Sequence, residues 1–107
     1  MDEKRYREVA FATLRRIEDL FEDVDVDVAD VESSGDVVTI SYANGKKCIV
    51  NTQGAVQQLW LAGGGRGWHF DWQNDAEQWL HDKGTGDELF SVIRRVTKDE
   101  TGVDLPE

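Results

Sequence analysis

The sequence predicts an α+β two-layer sandwich, with two helices packed on one face of a five- to six-stranded antiparallel sheet, as a single domain over 1–107. Three observations carry this. Apolar residues recur at three- and four-residue steps near both ends of the chain, alternate with polar ones between them, and sit in short runs joined by tight turn signals. Consecutive strands joined by hairpins form an antiparallel meander, and amphipathic helices must bury their stripes on one side of it. At 107 residues the chain is long enough for one core and too short for two.

The first helix follows from Tyr6, Val9, Ala10, Thr13, Leu14, Ile17, Leu20, Phe21 and Val24, the apolar stripe of an amphipathic helix from about Asp2 or Glu3 to Asp23. Its polar face begins basic (Lys4, Arg5, Arg7) and ends acidic (Glu18, Asp19, Glu22, Asp23). Acids at a helix C-terminus oppose the macrodipole, and the pairs Glu18–Glu22 and Asp19–Asp23 each cost about 0.2–0.5 kcal/mol at i,i+4. The period then drops from 3.6 to 2, through a bend, into a first strand near 28–33. Ser34-Gly35 turns into a second strand over 37–42. Asn44-Gly45 is a two-residue hairpin signal leading to a third strand near 46–51. A fourth strand covers 57–62. Gly63-Gly64-Gly65-Arg66-Gly67 reads as a mobile hairpin loop before a fifth strand over 68–72, and a short sixth lies near 77–81. Thr85 with Glu88 three residues on reads as a capping box for a second helix bearing Leu89, Phe90, Ile93, Val96 and Thr97. Gly102 ends it, and Val103 and Leu105 form an apolar tail able to pack back onto the body.

Charge narrows the function. The net charge is −10, which repels phosphate backbones and anionic membranes and favours cations or a basic patch on another protein. No apolar run approaches the roughly 20 residues of a membrane span, and no export or import leader is evident. The lone Cys48 fits a reducing cytosol. The acids are concentrated. Glu18, Asp19, Glu22, Asp23, Asp25, Asp27, Asp30, Glu32 and Asp36 fall in one stretch without Lys or Arg, while the other thirteen acids are nearly matched by all twelve bases. Solvated faces usually intersperse both signs, so this stretch points to a cation or a basic partner. Carboxylates without His or Cys are hard oxygen ligands, suited to Mg, Ca, Mn or iron. On an exposed helix and strand edge they cannot surround an ion, so binding is expected to be weak and shared among several sites.

Other chemistries fit poorly. Cys48 reads as a small buried hydrophobe within a strand. The glycine run is followed by a strand, not by Lys-Ser/Thr and a helix, so it is no phosphate-binding loop. Asp23-Val24-Asp25-Val26-Asp27 starts like an EF-hand, but Val28 and Ser34 occupy the positions needing Gly and Glu. His81 reads as a surface residue at a strand end. His69 lies opposite Trp68 and Phe70 and is either a solvated polar residue or a contact residue. Leu59 and Leu61 face the core, which sends Gln58, Trp60 and Ala62 to the open face, with Asn51 and Gln53 on the neighbouring strand. A Trp among amides on an open sheet face either lies flat on its neighbours or is an interface anchor.

The stretches Asn44 to Gln53, Gln58-Leu59-Trp60-Leu61-Ala62 and Gly67-Trp68-His69-Phe70-Asp71-Trp72, with the acidic first helix and the final Gly86-Asp87-Glu88-Leu89-Phe90, resemble the bacterial branch of the frataxin family. The resemblance covers nearly the whole chain, and its most specific part is Asn51-x-Gln53 with Gln58-x-Trp60-Leu61. It implies the same α+β sandwich and a non-catalytic protein that binds ferrous and ferric iron weakly. It also implies association with the cysteine desulfurase and the scaffold protein of iron–sulfur cluster assembly. Carried onto this chain, the iron-binding ridge falls on Glu18, Asp19, Glu22, Asp23 and Asp25, extended by Asp27, Asp30 and Glu32. The sheet contact surface falls on Asn51, Gln53, Gln58 and Trp60, and His69 stands where eukaryotic members tend to carry Arg. The implied protein is a cytoplasmic monomer. An iron-storing or ferroxidase oligomer and a metal-independent acidic binding module are the alternatives.

Overall fold

The computed structural model describes residues 1–107. Helix α1 (Glu3–Leu20) is followed by six strands, β1 (Ala29–Ser34), β2 (Val37–Tyr42), β3 (Lys47–Gln53), β4 (Gln58–Gly63), β5 (Arg66–Gln73) and β6 (Gln78–His81), then by helix α2 (Leu89–Thr101). The strands lie in the sheet in chain order, every neighbour antiparallel, so the sheet is a six-stranded meander. Both helices pack on one face. Tyr6, Val9, Ala10, Leu14 and Ile17 of α1 and Leu89, Phe90, Val92, Ile93 and Val96 of α2 join Val38, Ile40, Val50, Leu59, Leu61, Trp68, Phe70 and Trp79 in one core. Leu105 of the tail is buried there as well.

Four polar contacts, two of them fully buried, fix the layers against each other. The Trp79 indole N–H donates to Thr13 Oγ1 at 2.9 Å, and the hydroxyls of Tyr42 and Thr97 meet at 2.9 Å. Tyr6 Oη donates to the Gln58 carbonyl at 2.7 Å and accepts from the Gln53 N–H at 3.1 Å, tying α1 to β3 and β4. Each satisfies a group that would otherwise be stranded away from water. Cys48 is fully buried, and desolvation pushes its thiol up to about 12, the behaviour of an inert core residue.

Several local expectations are corrected. Helix α1 stops at Leu20, not Asp23: the Phe21 and Glu22 amides bond the carbonyls of Glu18 and Asp19 three residues back, tightening the chain into turns. The last helical turn holds acids and no base, so the macrodipole gives no reason to extend it. Glu22 and Asp23 therefore lie beyond the helix, and the two helical i,i+4 pairs do not form. The Asn44-Gly45 signal sits in a three-residue loop, Ala43 to Gly45, in which only Gly45 is left-handed, at φ 89°. The Tyr42 amide closes that loop on the Lys46 carbonyl at 2.9 Å. The two-residue hairpin is Gly64-Gly65, with φ 63° and 78° between paired Gly63 and Arg66, so the hairpin loop of the glycine run is shorter than expected, its Gly63, Arg66 and Gly67 belonging to β4 and β5.

Thr85 does not cap α2. Its hydroxyl bonds Asp87, while Glu88 caps the helix itself, accepting from the amides of Phe90 and Ser91 at 2.8 and 3.1 Å. His81 is not a surface residue either. It is 7% exposed and packs against Trp68 and Phe70, with ring centroids 5.0 and 5.9 Å away. The period of two puts it on the same face as Trp79, toward the core.

Candidate functional site

Two surfaces hold the residues singled out in the sequence. The first is the edge formed by the end of α1, the connection over 21–28 and β1. Glu18 and Asp19 occupy the last turn of α1, Glu22 and Asp23 the turns after it, Asp25 and Asp27 the approach to β1, and Asp30 and Glu32 the outward positions of β1. Asp19, Glu22, Asp23, Asp25, Asp27, Asp30 and Glu32 are exposed and Glu18 is half-buried. No Lys or Arg side chain forms an ion pair with any of them. No three acidic, His or Cys side chains of the molecule converge closely enough to hold one metal ion. The acids form a spread ridge, not a cage.

One ridge acid has an internal task. Asp25 Oδ1 accepts the Asp27 amide at 2.9 Å, and the Asp25 carbonyl accepts those of Val28 and Ala29, so this residue shapes the bend into β1. Val26 between them is 69% exposed. Together with Glu18, Phe21, Glu22, Val24 and Asp30 it lines a shallow groove of about 240 Å³ with an apolar floor and an acidic rim. Sequence reasoning passed over Val26, whose signal was an aliphatic side chain isolated between acids.

The second surface is the sheet face turned away from the helices. Register places Asn51, Trp60 and His69 side by side on β3, β4 and β5, and Gln53, Gln58, Asp71 and Leu80 in the adjoining row. All five expected contact residues thus fall in one patch. Trp60 is half-buried, and its ring stacks on His69 at 4.2 Å with 13° between the planes. Its Nε1–H donates to Gln58 Oε1 at 2.8 Å, and Gln58 Nε2 donates to Asp71 Oδ1 at 3.0 Å and Asp82 Oδ2 at 3.2 Å. Asp82, just past β6, keeps register by donating its amide to the His69 carbonyl at 2.8 Å, and its Oδ2 lies 3.7 Å from His69 Nδ1. From the core side, His81 Nδ1 lies 3.1 Å from the same carbonyl. The Asn51 amide donates to the Thr52 carbonyl at 3.1 Å.

Asp71 and Asp82 were not among the expected contact residues. Asp71 was visible as the next outward position after His69, but Asp82 reaches Gln58 only through the pairing of three strands. The ridge and the patch around Trp60 are separate regions with separate chemistry; Asp30 and Glu32 share the open face, but on edge strand β1, three strands from Trp60 on β4. One is anionic and unpaired; the other is an aromatic and amide patch with internally bonded carboxylates. No helix is long and apolar enough to cross a membrane.

The chain is similar throughout its length to known proteins. A sequence model described as the frataxin-like domain matches residues 1–103. The iron-sulfur cluster assembly protein CyaY of Stutzerimonas stutzeri is 37% identical over 102 residues, spanning 95% of this chain and 91% of that protein. The protein of the same name from Pseudomonas syringae pv. tomato is 37% identical over 106 residues, with 98% and 94% covered. Among solved structures, the frataxin of Psychromonas ingrahamii, described as part of the CyaY protein family, superposes with a TM-score of 0.87 at 26% identity, covering 98% of this chain and 96% of that one. The six-stranded sandwich and the full-length match agree: the chain belongs to the frataxin-like family.

Proposed function

We propose that this chain acts in iron–sulfur cluster assembly as an iron-responsive regulator and iron donor, without catalysis of its own. The ridge Glu18, Asp19, Glu22, Asp23, Asp25 and Asp27 takes iron weakly and docks on a basic surface of the cysteine desulfurase. The open face of Asn51, Gln53, Gln58, Trp60 and His69 meets the scaffold protein. Iron and desulfurase then compete for the same carboxylates, so iron occupancy alters the rate of cluster assembly.

The observation that carries this reading is the division of the surface into an acidic edge without basic partners and a separate aromatic and amide patch whose carboxylates are already hydrogen-bonded. The ridge chemistry suits iron as cargo. Exposed carboxylate oxygens are hard ligands, and a spread array without a cage binds weakly and releases readily. The names of the relatives support the pathway.

The test is charge reversal of Glu18, Asp19, Glu22 and Asp23 to Lys, with desulfurase binding measured by calorimetry. Loss of binding is expected, and unchanged affinity would sink the reading. Size-exclusion chromatography with iron and oxygen tests the storage alternative: a monomer is expected, and an iron-dependent oligomer would favour storage. A titration in which iron leaves the ridge unperturbed would favour a metal-independent binding module.

A further inference from the structure

We infer that Asp71 and Asp82 are positioning residues, which together fix the orientation of Trp60 on the open sheet face. This rests on the reading of that face as a docking surface and adds what holds its central side chain in place. The reasoning is one of hydrogen-bond polarity. An ionised carboxylate only accepts hydrogen bonds, an indole N–H only donates, and the Gln amide has one end of each kind. Gln58 lies between two carboxylates, 3.0 and 3.2 Å away, and the Trp60 indole N–H, 2.8 Å away. Its amide has one orientation that satisfies all three: NH₂ toward Asp71 and Asp82, carbonyl toward Trp60. Turning the amide over would set its NH₂ against the indole N–H and its carbonyl against two carboxylates. The two acids therefore dictate the polarity of Gln58, and Gln58 presents Trp60 with an acceptor.

Asp82 acts on the other side of the indole as well. Its Oδ2 is 3.7 Å from His69 Nδ1, and its amide bonds the His69 carbonyl, so it flanks the ring on which Trp60 stacks at 4.2 Å. Trp60 is thus held at its N–H through Gln58 and at its face through His69. Gln58 and Trp60 lie on β4, His69 and Asp71 on β5 and Asp82 just past β6, so the arrangement exists only when the three strands are in register. A large side chain held in one orientation before binding loses less freedom on binding, the usual source of affinity in a preorganised contact.

The experiment compares the Asp71→Ala/Asp82→Ala double variant with the wild type, using the Trp60 indole ¹⁵N–¹H resonance as the direct readout. The resonance, assigned by its loss in Trp60→Phe, is expected to shift and broaden in the double variant while the core Trp68 and Trp79 indoles stay in place. An unchanged Trp60 resonance would overturn the inference. Asp75→Ala, in the exposed turn before β6, is the control and is expected to move nothing. Should the double variant fail to fold, Asp71→Asn/Asp82→Asn keeps the shape, removes the obligatory acceptors and is expected to broaden the same resonance, with a sharp, unmoved signal again overturning it.

Scaffold affinity is read in parallel. It is expected to fall about threefold to tenfold in the double Ala variant. In a Trp60→Phe background, which lacks the indole donor, the same two substitutions are expected to cost clearly less, because only the hold through His69 remains. Full additivity of the two effects would contradict action through Trp60. A Trp60 resonance that moves with scaffold affinity unchanged would uphold the positioning role and instead refute the docking assignment of this face.

Discussion

The acidic edge and the open sheet face both carry carboxylates, and the fold treats them in opposite ways. Along the edge, Glu18, Asp19, Glu22 and Asp23 have no Lys or Arg partner and crowd the negative end of α1. On the sheet, Asp71 and Asp82 each accept from the Gln58 amide and through it orient Trp60. Unpaired acids oppose the helix dipole and remain free to meet an external cation or basic surface. Bonded acids are already engaged and act by ordering a neighbour. A count of negative charge alone would rank the two places together; the hydrogen bonds separate them.

The largest effect that sharpens this contrast lies within a single strand. Leu59→Ala, in the fully buried face of β4, is expected to lower stability by about 2–5 kcal/mol in urea unfolding. Trp60→Ala, one residue on and facing outward, is expected to cost far less stability while abolishing scaffold binding and sparing iron binding. A matching loss of iron binding would erase the distinction between the surfaces.

Next comes the acid with a structural task. Asp25→Ala removes the acceptor of the Asp27 amide and is expected to destabilise by about 0.5–1.5 kcal/mol, whereas Asp25→Asn, which keeps an acceptor, is expected to stay near wild type. Equal stability for the Ala variant would place Asp25 with the unengaged acids. A smaller effect of opposite sign is expected at the end of α1. Asp19→Asn relieves the clash with the dipole and is expected to stabilise by about 0.3–1 kcal/mol, less at high salt. A destabilised Asp19→Asn would show that the ridge is held by contacts within the fold.

The effect that is smallest at neutral pH concerns Cys48. Its thiol is raised from 9.0 to about 12 in the folded state, first by desolvation. The unfolded thiol therefore loses its proton first, and the stability this residue contributes is lost as pH rises from about 9 toward 12. At neutral pH, thiol reagents are expected to label Cys48 only on unfolding; rapid labelling of the native protein would contradict its burial.

Much of the architecture was legible because it rests on periodicity. The stripe from Tyr6 to Ile17 and the alternation of Leu59, Trp60 and Leu61 require only local spacing, and both faces follow from them. What was not legible depends on competition or on distance in the chain. The end of α1 was set by tightening after Leu20, and the cap of α2 by Glu88 outcompeting Thr85, choices that spacing leaves open. His81 looked like a surface group because it is polar, yet strand alternation with Trp79 buries it. Of the sheet patch, Asn51, Gln53, Gln58, Trp60 and His69 could be placed from their strands one at a time. Asp82 could not, since it meets Gln58 across 24 residues only when β4, β5 and β6 are in register.

The separation of the two surfaces is tested most directly by an amide- and indole-resolved NMR titration with ferrous iron under anaerobic conditions, repeated with calcium. The account predicts broadening confined to residues 18–32 at sub-millimolar iron, with the signals of Asn51, His69 and the Trp60 indole unmoved. Broadening centred on His69 and Asp82, or no localised response anywhere, would contradict it.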